Sequence, residues 1–243
     1  MTSGFDTTGD AIMAKTTLMF GSIGTLVESS DIQRVAYNDA MREAGLDWHW
    51  DRDTYADLLM QSGGKDRLAH LAAATNNRLS LDTIDRIHAR KTELACARML
   101  DQGVKLRPGV AATIAVAKQR GMKLAFVTTT YQPNIDAVFA CAGDTLSTED
   151  FDYIGSREKV EHGKPAPDAY LAALEALGAM PQQALAVEDT ALSVMSAKRA
   201  MIDVVATPGA LTSAQDFWQA DLILDNLGDN MAVDRRMLQF MSR

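Results

Sequence analysis

Apolar positions along the chain fall into two regimes. From Thr16 to Phe20 the residues are apolar or β-branched, and the run ends in Gly21-Ser22-Ile23-Gly24-Thr25-Leu26. That pattern predicts a buried strand entering a glycine-bearing loop. Ile32, Val35, Ala36 and Met41 then recur at helical spacing until Gly45 breaks the pattern. From there to about Leu106 nearly every segment reads as helix. Tyr55, Leu58 and Leu59 form one apolar stripe, and Leu68, Leu71 and Ala72 another. Ile84, Ile87, Leu94 and Met99 form a third, with Arg90, Lys91 and Arg98 expected on its solvent side.

Arg107-Pro108-Gly109 punctuates the end of this helical region. Beyond it the pattern alternates. Helices are expected over Ala112–Gln119, Asn134–Cys141, Pro167–Leu177 (closed by Gly178), Ala191–Ala200 and Met231–Met241. Strands are expected over Leu124–Thr129, Phe151–Ile154, Ala184–Val187, Val204–Ala206 and Leu222–Leu224. Alternating strands and helices imply an α/β fold, a Rossmann-like parallel sheet covered on both faces. The helical region is then an all-helical insert. The expected organisation is an extension over 1–14, a core from 15–28 and 105–243, and a helical cap over 29–104.

Composition narrows the function only by exclusion. Hydrophobic residues make up 47% and charged residues 23% of the 243 positions, ordinary values for a globular chain. The formal charge of −8 argues against non-specific nucleic-acid or anionic-membrane binding, though not against a local basic pocket. Cys96 and Cys141 have no zinc-ligand spacing around them and read as two reduced thiols of a cytoplasmic protein. Met1–Ile12 is polar, lacks the apolar stretch of a secretory signal, and is expected to be a poorly ordered extension.

Ligands of parallel sheets sit beyond the carboxyl ends of the strands, and four segments fall there. The Gly21–Leu26 loop follows the first strand. Thr128 and Thr129 end the second core strand, where a hydroxyl can donate to a phosphate oxygen or simply suit a strand end; Asn134 could cap the following helix. In Gly163-Lys164-Pro165-Ala166-Pro167, two prolines fix a lysine just ahead of a helix. Glu188-Asp189 closes another apolar strand. Paired acids suit a hard cation such as Mg²⁺, and Asp189 could equally be a helix N-cap.

Taken in this order, the four segments resemble the haloacid dehalogenase-like phosphatases, over essentially Thr16 to Asn226. The branch with a helical cap, which holds phosphoglycolate phosphatases and β-phosphoglucomutases, is the nearest. Within it Leu46-Asp47-Trp48-His49-Trp50-Asp51, Gly63-Gly64-Lys65-Asp66-Arg67 and Val127-Thr128-Thr129-Thr130 are similar to the CbbY-type sugar bisphosphate phosphatases. The resemblance implies Thr128 and Lys164 as phosphate contacts, and Glu188 and Asp189 at a Mg²⁺ ion. It implies Glu28, Lys65 and Arg67 as substrate-side contacts, with Trp48, His49 and Trp50 packing the cap.

The family loop carries two aspartates, a nucleophile and an acid-base group. Here those positions hold Gly21 and Ile23. Gly21 offers no attacking oxygen and Ile23 no proton, and Ser22 is expected to point away by strand alternation. Mg²⁺ binding is therefore expected to be weak or absent, and Lys164 to turn towards Glu188 or Asp189. Two classes of function stay open. One is a pseudophosphatase that holds a phosphorylated small molecule or a protein partner. The other is a hydrolase with displaced chemistry, using Glu28 or a metal-bound water.

Overall fold

The computed structural model describes residues 14–61, 63–75, 78–229 and 232–243. Residues 1–13 of the expected N-terminal extension, and Met231, lie outside the described residues. Strand β1 (Thr17–Phe20) sits at the centre of a six-stranded sheet. It pairs in parallel with β2 (Lys123–Phe126) on one side and β4 (Ala184–Glu188) on the other. Strand β3 (Tyr153–Ile154) extends the sheet beyond β2. Strands β5 (Asp203–Ala206) and β6 (Leu222–Ile223) extend it beyond β4, giving the order β3-β2-β1-β4-β5-β6. The chain runs outward from β1 through β2 and β3, then returns to its other side at β4. The carboxyl end of β1 is thus the switch point where such sheets bind ligands.

Strand alternation builds two cores. Leu18, Phe20, Leu124, Phe126, Leu185 and Val187 face one layer, while Met19, Ala125, Ala184 and Ala186 face the other. Burial on both faces explains why these strands read as continuous apolar runs. Helices α5 (Val110–Gln119), α6 (Gln132–Ala142), α7 (Asp168–Leu177), α8 (Ala191–Arg199) and α9 (Arg235–Phe240) accompany the strands. Helix α7 ends as expected at Gly178, which is left-handed at φ 59°. The last helix begins only at Arg235, because the Asp234 carboxylate caps it by accepting from Arg236 N.

Between β1 and α5 lie four helices: α1 (Ser30–Glu43), α2 (Arg52–Leu58), α3 (Gly64–Ala74) and α4 (Leu81–Gln102). Asp51 caps α2 by accepting from Thr54 N at 2.8 Å, and Ser80 caps α4 by accepting from Thr83 N at 3.1 Å. Tyr37, Met41, Trp50, Tyr55, Leu68, Ile84 and Ile87 form a third apolar cluster among these helices. Trp50 is buried in it, Trp48 packs at its margin, and His49 is exposed.

Helix α4 corrects one expectation. It packs against α1 on one side and α6 on another. A helix covered from two directions has a narrow wet face, so Lys91, expected in solvent, is only 6% exposed. No helix among the described residues is long and apolar enough to cross a membrane.

Candidate functional site

A cleft of about 290 Å³ opens over the carboxyl end of β1, near the lower limit for small-molecule sites. Its floor comes from the strand ends: Ser22 and Ile23 after β1, Thr128, Thr129 and Thr130 after β2, Glu188 and Asp189 at the end of β4, and Lys164 ahead of α7. Its roof comes from the helical insert, with Lys65, Arg67, His88 and Lys91. Of the residues expected at the site, Thr128, Thr129, Lys164, Glu188, Asp189, Lys65 and Arg67 line this cleft. Glu28 lies outside this lining, and its carboxylate accepts from Ser30 N at 3.0 Å and Ala210 N at 3.1 Å.

Gly21 and Ile23, at the positions where the resemblance places two aspartates, shape the floor. Gly21 has no positive φ, but a Cβ there would overlap the Glu188 carboxylate and come within 2.7 Å of Thr25 Oγ1. Glu188 therefore reaches into the space where a side chain at position 21 would stand. It is 1% exposed, and its Oε1 accepts short hydrogen bonds from both Lys164 Nζ and the Tyr170 hydroxyl. Lys164 Nζ also donates to Val127 O at 3.0 Å and lies 5.1 Å from the Tyr170 ring centre. The expected turn of Lys164 towards the acidic pair is present, and Glu188 is its partner. Beside Glu188, the buried Tyr170 hydroxyl is held well above the usual tyrosine range, by burial and then by the carboxylate itself.

Asp189 is not a helix cap. Thr190 caps α8, accepting from Ser193 N at 3.2 Å, while Asp189 Oδ1 accepts from Thr25 Oγ1 at 2.9 Å. Burial, then the neighbouring Glu188 charge, pushes the Asp189 carboxyl up to about 7. Gly24, at φ +82°, lies so close to Asp189 that any Cβ would overlap its carboxylate. The loop conformation and the acid are thus fitted to each other. The implied Mg²⁺ fits this set poorly. No group of three or more His, Cys, Asp or Glu side chains placed to hold a metal occurs among the described residues, and Glu188 is already taken by Lys164 and Tyr170.

Ser22 overturns another expectation. The chain leaves the sheet after Phe20, so strand alternation no longer governs its direction. Its Oγ lies 2.8 Å from Thr128 Oγ1, inside the cleft. Thr128 Oγ1 accepts from Thr130 N at 3.1 Å, fixing the hydroxyl. The strand itself stops at Phe126 rather than running to Thr129, which frees Thr128 and Thr129 for the floor. Asn134 does not cap α6 with its side chain; it sits buried inside the first turn and faces the cleft.

The roof is cationic. Lys65 Nζ pairs with Asp85 at 2.7 Å and lies 5.5 Å from the Tyr131 ring centre. Arg67 Nε donates to Leu58 O at 3.1 Å and Gln61 O at 3.2 Å, and its guanidinium lies 5.8 Å from the Tyr55 ring centre. Lys91 Nζ lies 4.7 Å from the Tyr37 ring centre. Burial, then the Arg67 charge, pulls the Lys91 ammonium down to about 7, and burial pulls His88 down to about 3, so His88 is neutral. Lys91, His88, Arg157, Gln33, Tyr37 and Ser22 were not picked out from the sequence as cleft groups. For Lys91 a signal existed: it lies four residues after Ile87, on the apolar side of its helix.

Lys65, Arg67, Lys91, Arg157 and Lys164 against Asp66, Glu188 and Asp189 make the cleft a basic pocket in an acidic chain. The haloacid dehalogenase-like hydrolase profile matches residues 18–200. Protein CbbY of Cereibacter sphaeroides is 38% identical over 213 residues, covering 87% of this chain and 92% of that protein. The crystal structure of a CbbY mutant from Rhodobacter sphaeroides in complex with xylulose-(1,5)bisphosphate superposes with a TM-score of 0.83. The two share 36% identity, over 91% of this chain and all of that one. CbbY from the same organism in complex with phosphate gives a TM-score of 0.82 at 36% identity, covering 88% and 95% of the two chains.

Proposed function

Because the chain belongs to the haloacid dehalogenase-like hydrolase family, we propose that it binds a doubly phosphorylated sugar in this cleft and turns it over inefficiently or not at all. One observation carries the reading: the Glu188 carboxylate, clamped by Lys164 and Tyr170, fills the space beside Gly21. A nucleophile has not been replaced by another nucleophile there. Its place has been filled by the neighbouring acid. Removing the nucleophile of a concerted catalytic set costs about a millionfold in kcat, which is roughly 8 kcal/mol of barrier.

Affinity for the ligand does not need the missing groups. Lys164 and the hydroxyls of Ser22, Thr128 and Thr129 can receive one phosphate on the floor, as donors to anionic oxygen. Lys65, Arg67 and Lys91 can receive a second on the roof. Lys91 fits this role, because its ammonium lines the cleft although the residue is only 6% exposed. The relatives bear on the ligand: the similar CbbY structure is in complex with xylulose-(1,5)bisphosphate, a sugar with a phosphate at each end. A divalent cation takes no necessary part in holding the ligand, because Glu188 and Asp189 are spent on Lys164, Tyr170 and Thr25.

Calorimetry with xylulose 1,5-bisphosphate and with inorganic phosphate tests the binding half. The bisphosphate should bind at least tenfold more tightly, since it engages both ends. A colorimetric phosphate-release assay with Mg²⁺ tests the other half, and multiple turnovers at rates usual for enzymes would overturn it.

A further inference from the structure

Resting on the phosphosugar reading above, we propose that Gln33 is a specificity-determining residue whose amide oxygen accepts a hydrogen bond from a hydroxyl of the bound ligand's carbon chain. Gln33 projects from the first turn of α1 into the cleft and is 2% exposed. Its amide nitrogen faces the Met99 sulfur at 3.8 Å, a weak acceptor. Its Oε1 is buried and has no hydrogen-bond partner among the described residues. Nearly every buried amide oxygen in a folded protein is satisfied, and an orphan one in a ligand cleft points to a partner that arrives with the ligand.

The chemistry of the orphan atom says what that partner is. An amide oxygen accepts and cannot donate, so it repels a phosphate oxygen and requires a hydroxyl or an amine. An amine on the ligand is disfavoured beside Lys91, Arg67 and Lys65, which line the same cleft. The Tyr37 hydroxyl, one helical turn along α1, is also buried without a partner among the described residues and can donate or accept. Cations at the roof and at Lys164, together with these neutral polar groups in the same cleft, describe a ligand that carries both phosphates and hydroxyls. Phosphate contacts fix where the ligand sits. Gln33 then decides whether its middle must be a polyol.

The test compares xylulose 1,5-bisphosphate with pentane-1,5-diol bisphosphate, which keeps both phosphates and lacks every hydroxyl. The wild-type protein should prefer the sugar by about 10- to 100-fold, the range expected when a buried acceptor is left unpaired. Gln33→Leu should weaken sugar binding about tenfold, leave the diol bisphosphate unchanged or tighter, and so collapse the preference. Gln33→Met, unbranched and close in volume, gives the same readout should the leucine variant fail to fold. Equal losses for both ligands, or an unchanged preference, would overturn the role of Gln33 while leaving the bisphosphate reading intact. Failure of the wild-type protein to bind either ligand would overturn both.

Discussion

Replacing Gly21 with aspartate puts a carboxylate at the position where the family resemblance expects a nucleophile, and the structure says what that costs. Backbone geometry is no obstacle, since Gly21 lacks a positive φ, and losing a glycine from the unfolded chain is worth about 0.5–1 kcal/mol in stability. The obstacle is Glu188, whose carboxylate the new Cβ would overlap. Glu188 can retreat only by loosening its contacts with Lys164 and Tyr170, and two carboxylates then lie about 4 Å apart. At an effective dielectric near 20 that repulsion is about 4 kcal/mol. The net expectation is a loss of roughly 3 kcal/mol, or about 6–12 °C in Tm for a chain of this size. The two acids, with Asp189, would now present an oxygen set for Mg²⁺, and metal at a hundred times its Kd would return about 2.7 kcal/mol. Thermal denaturation with and without Mg²⁺ reads both effects. Wild-type Tm should not respond to Mg²⁺, whereas Gly21→Asp should melt low without it and recover with it. A Gly21→Asp protein as stable as wild type in EDTA would refute the placement of Glu188. Turnover should stay low until Ile23→Asp is added to supply the acid-base group.

Three further outcomes follow from other groups. Lys91 falls from 10.5 to about 7 on burial, so at pH 7 and below the folded state bears the whole cost of charging it, up to about 5 kcal/mol. The unfolded chain holds more protons between pH 7 and 10.5, so stability should rise with pH across that window, and Lys91→Met should raise stability at neutral pH and flatten the rise, as read by urea denaturation. The same ammonium should make bisphosphate affinity fall as pH climbs through about 7, with Arg67, Tyr37, neutral His88 and Cys96 around it, and Lys91→Met should remove that dependence in calorimetry. Lys164→Met should destabilise by about 3–5 kcal/mol, because it strands Glu188 as a buried charge, whereas the double change with Glu188→Leu should recover most of the loss in a denaturation cycle.

How much of this was legible beforehand differs by physical cause. The parallel sheet was readable because strands buried on both faces, such as Leu18 to Phe20 and Leu185 to Val187, are continuously apolar. The strand-end groups Thr128, Lys164, Glu188 and Asp189 were readable because turn chemistry and the sheet's polarity fix where they stand. That Gly21 offers no attacking oxygen and Ile23 no titratable proton is plain from the residues themselves. Direction was not readable where periodicity lapses: Ser22 lies one residue beyond the end of alternation, and Asn134 inside a first turn rather than before it. Gln33 was hidden for a tertiary reason, because its helix position looks solvated in isolation. Lys91 carried a signal in its place four residues after Ile87, but only the packing of α4 against α1 and α6 shows that it is buried. Nor could a sequence show that Glu188 would fill the space left by its neighbour.

The central claim is that binding survives without turnover, and phosphorus NMR of the protein mixed with a slight excess of xylulose 1,5-bisphosphate and Mg²⁺ sees both at once. The account predicts that both ligand resonances shift or broaden on binding while no inorganic phosphate signal grows over hours. An inorganic phosphate signal that grows past one equivalent per protein would contradict it.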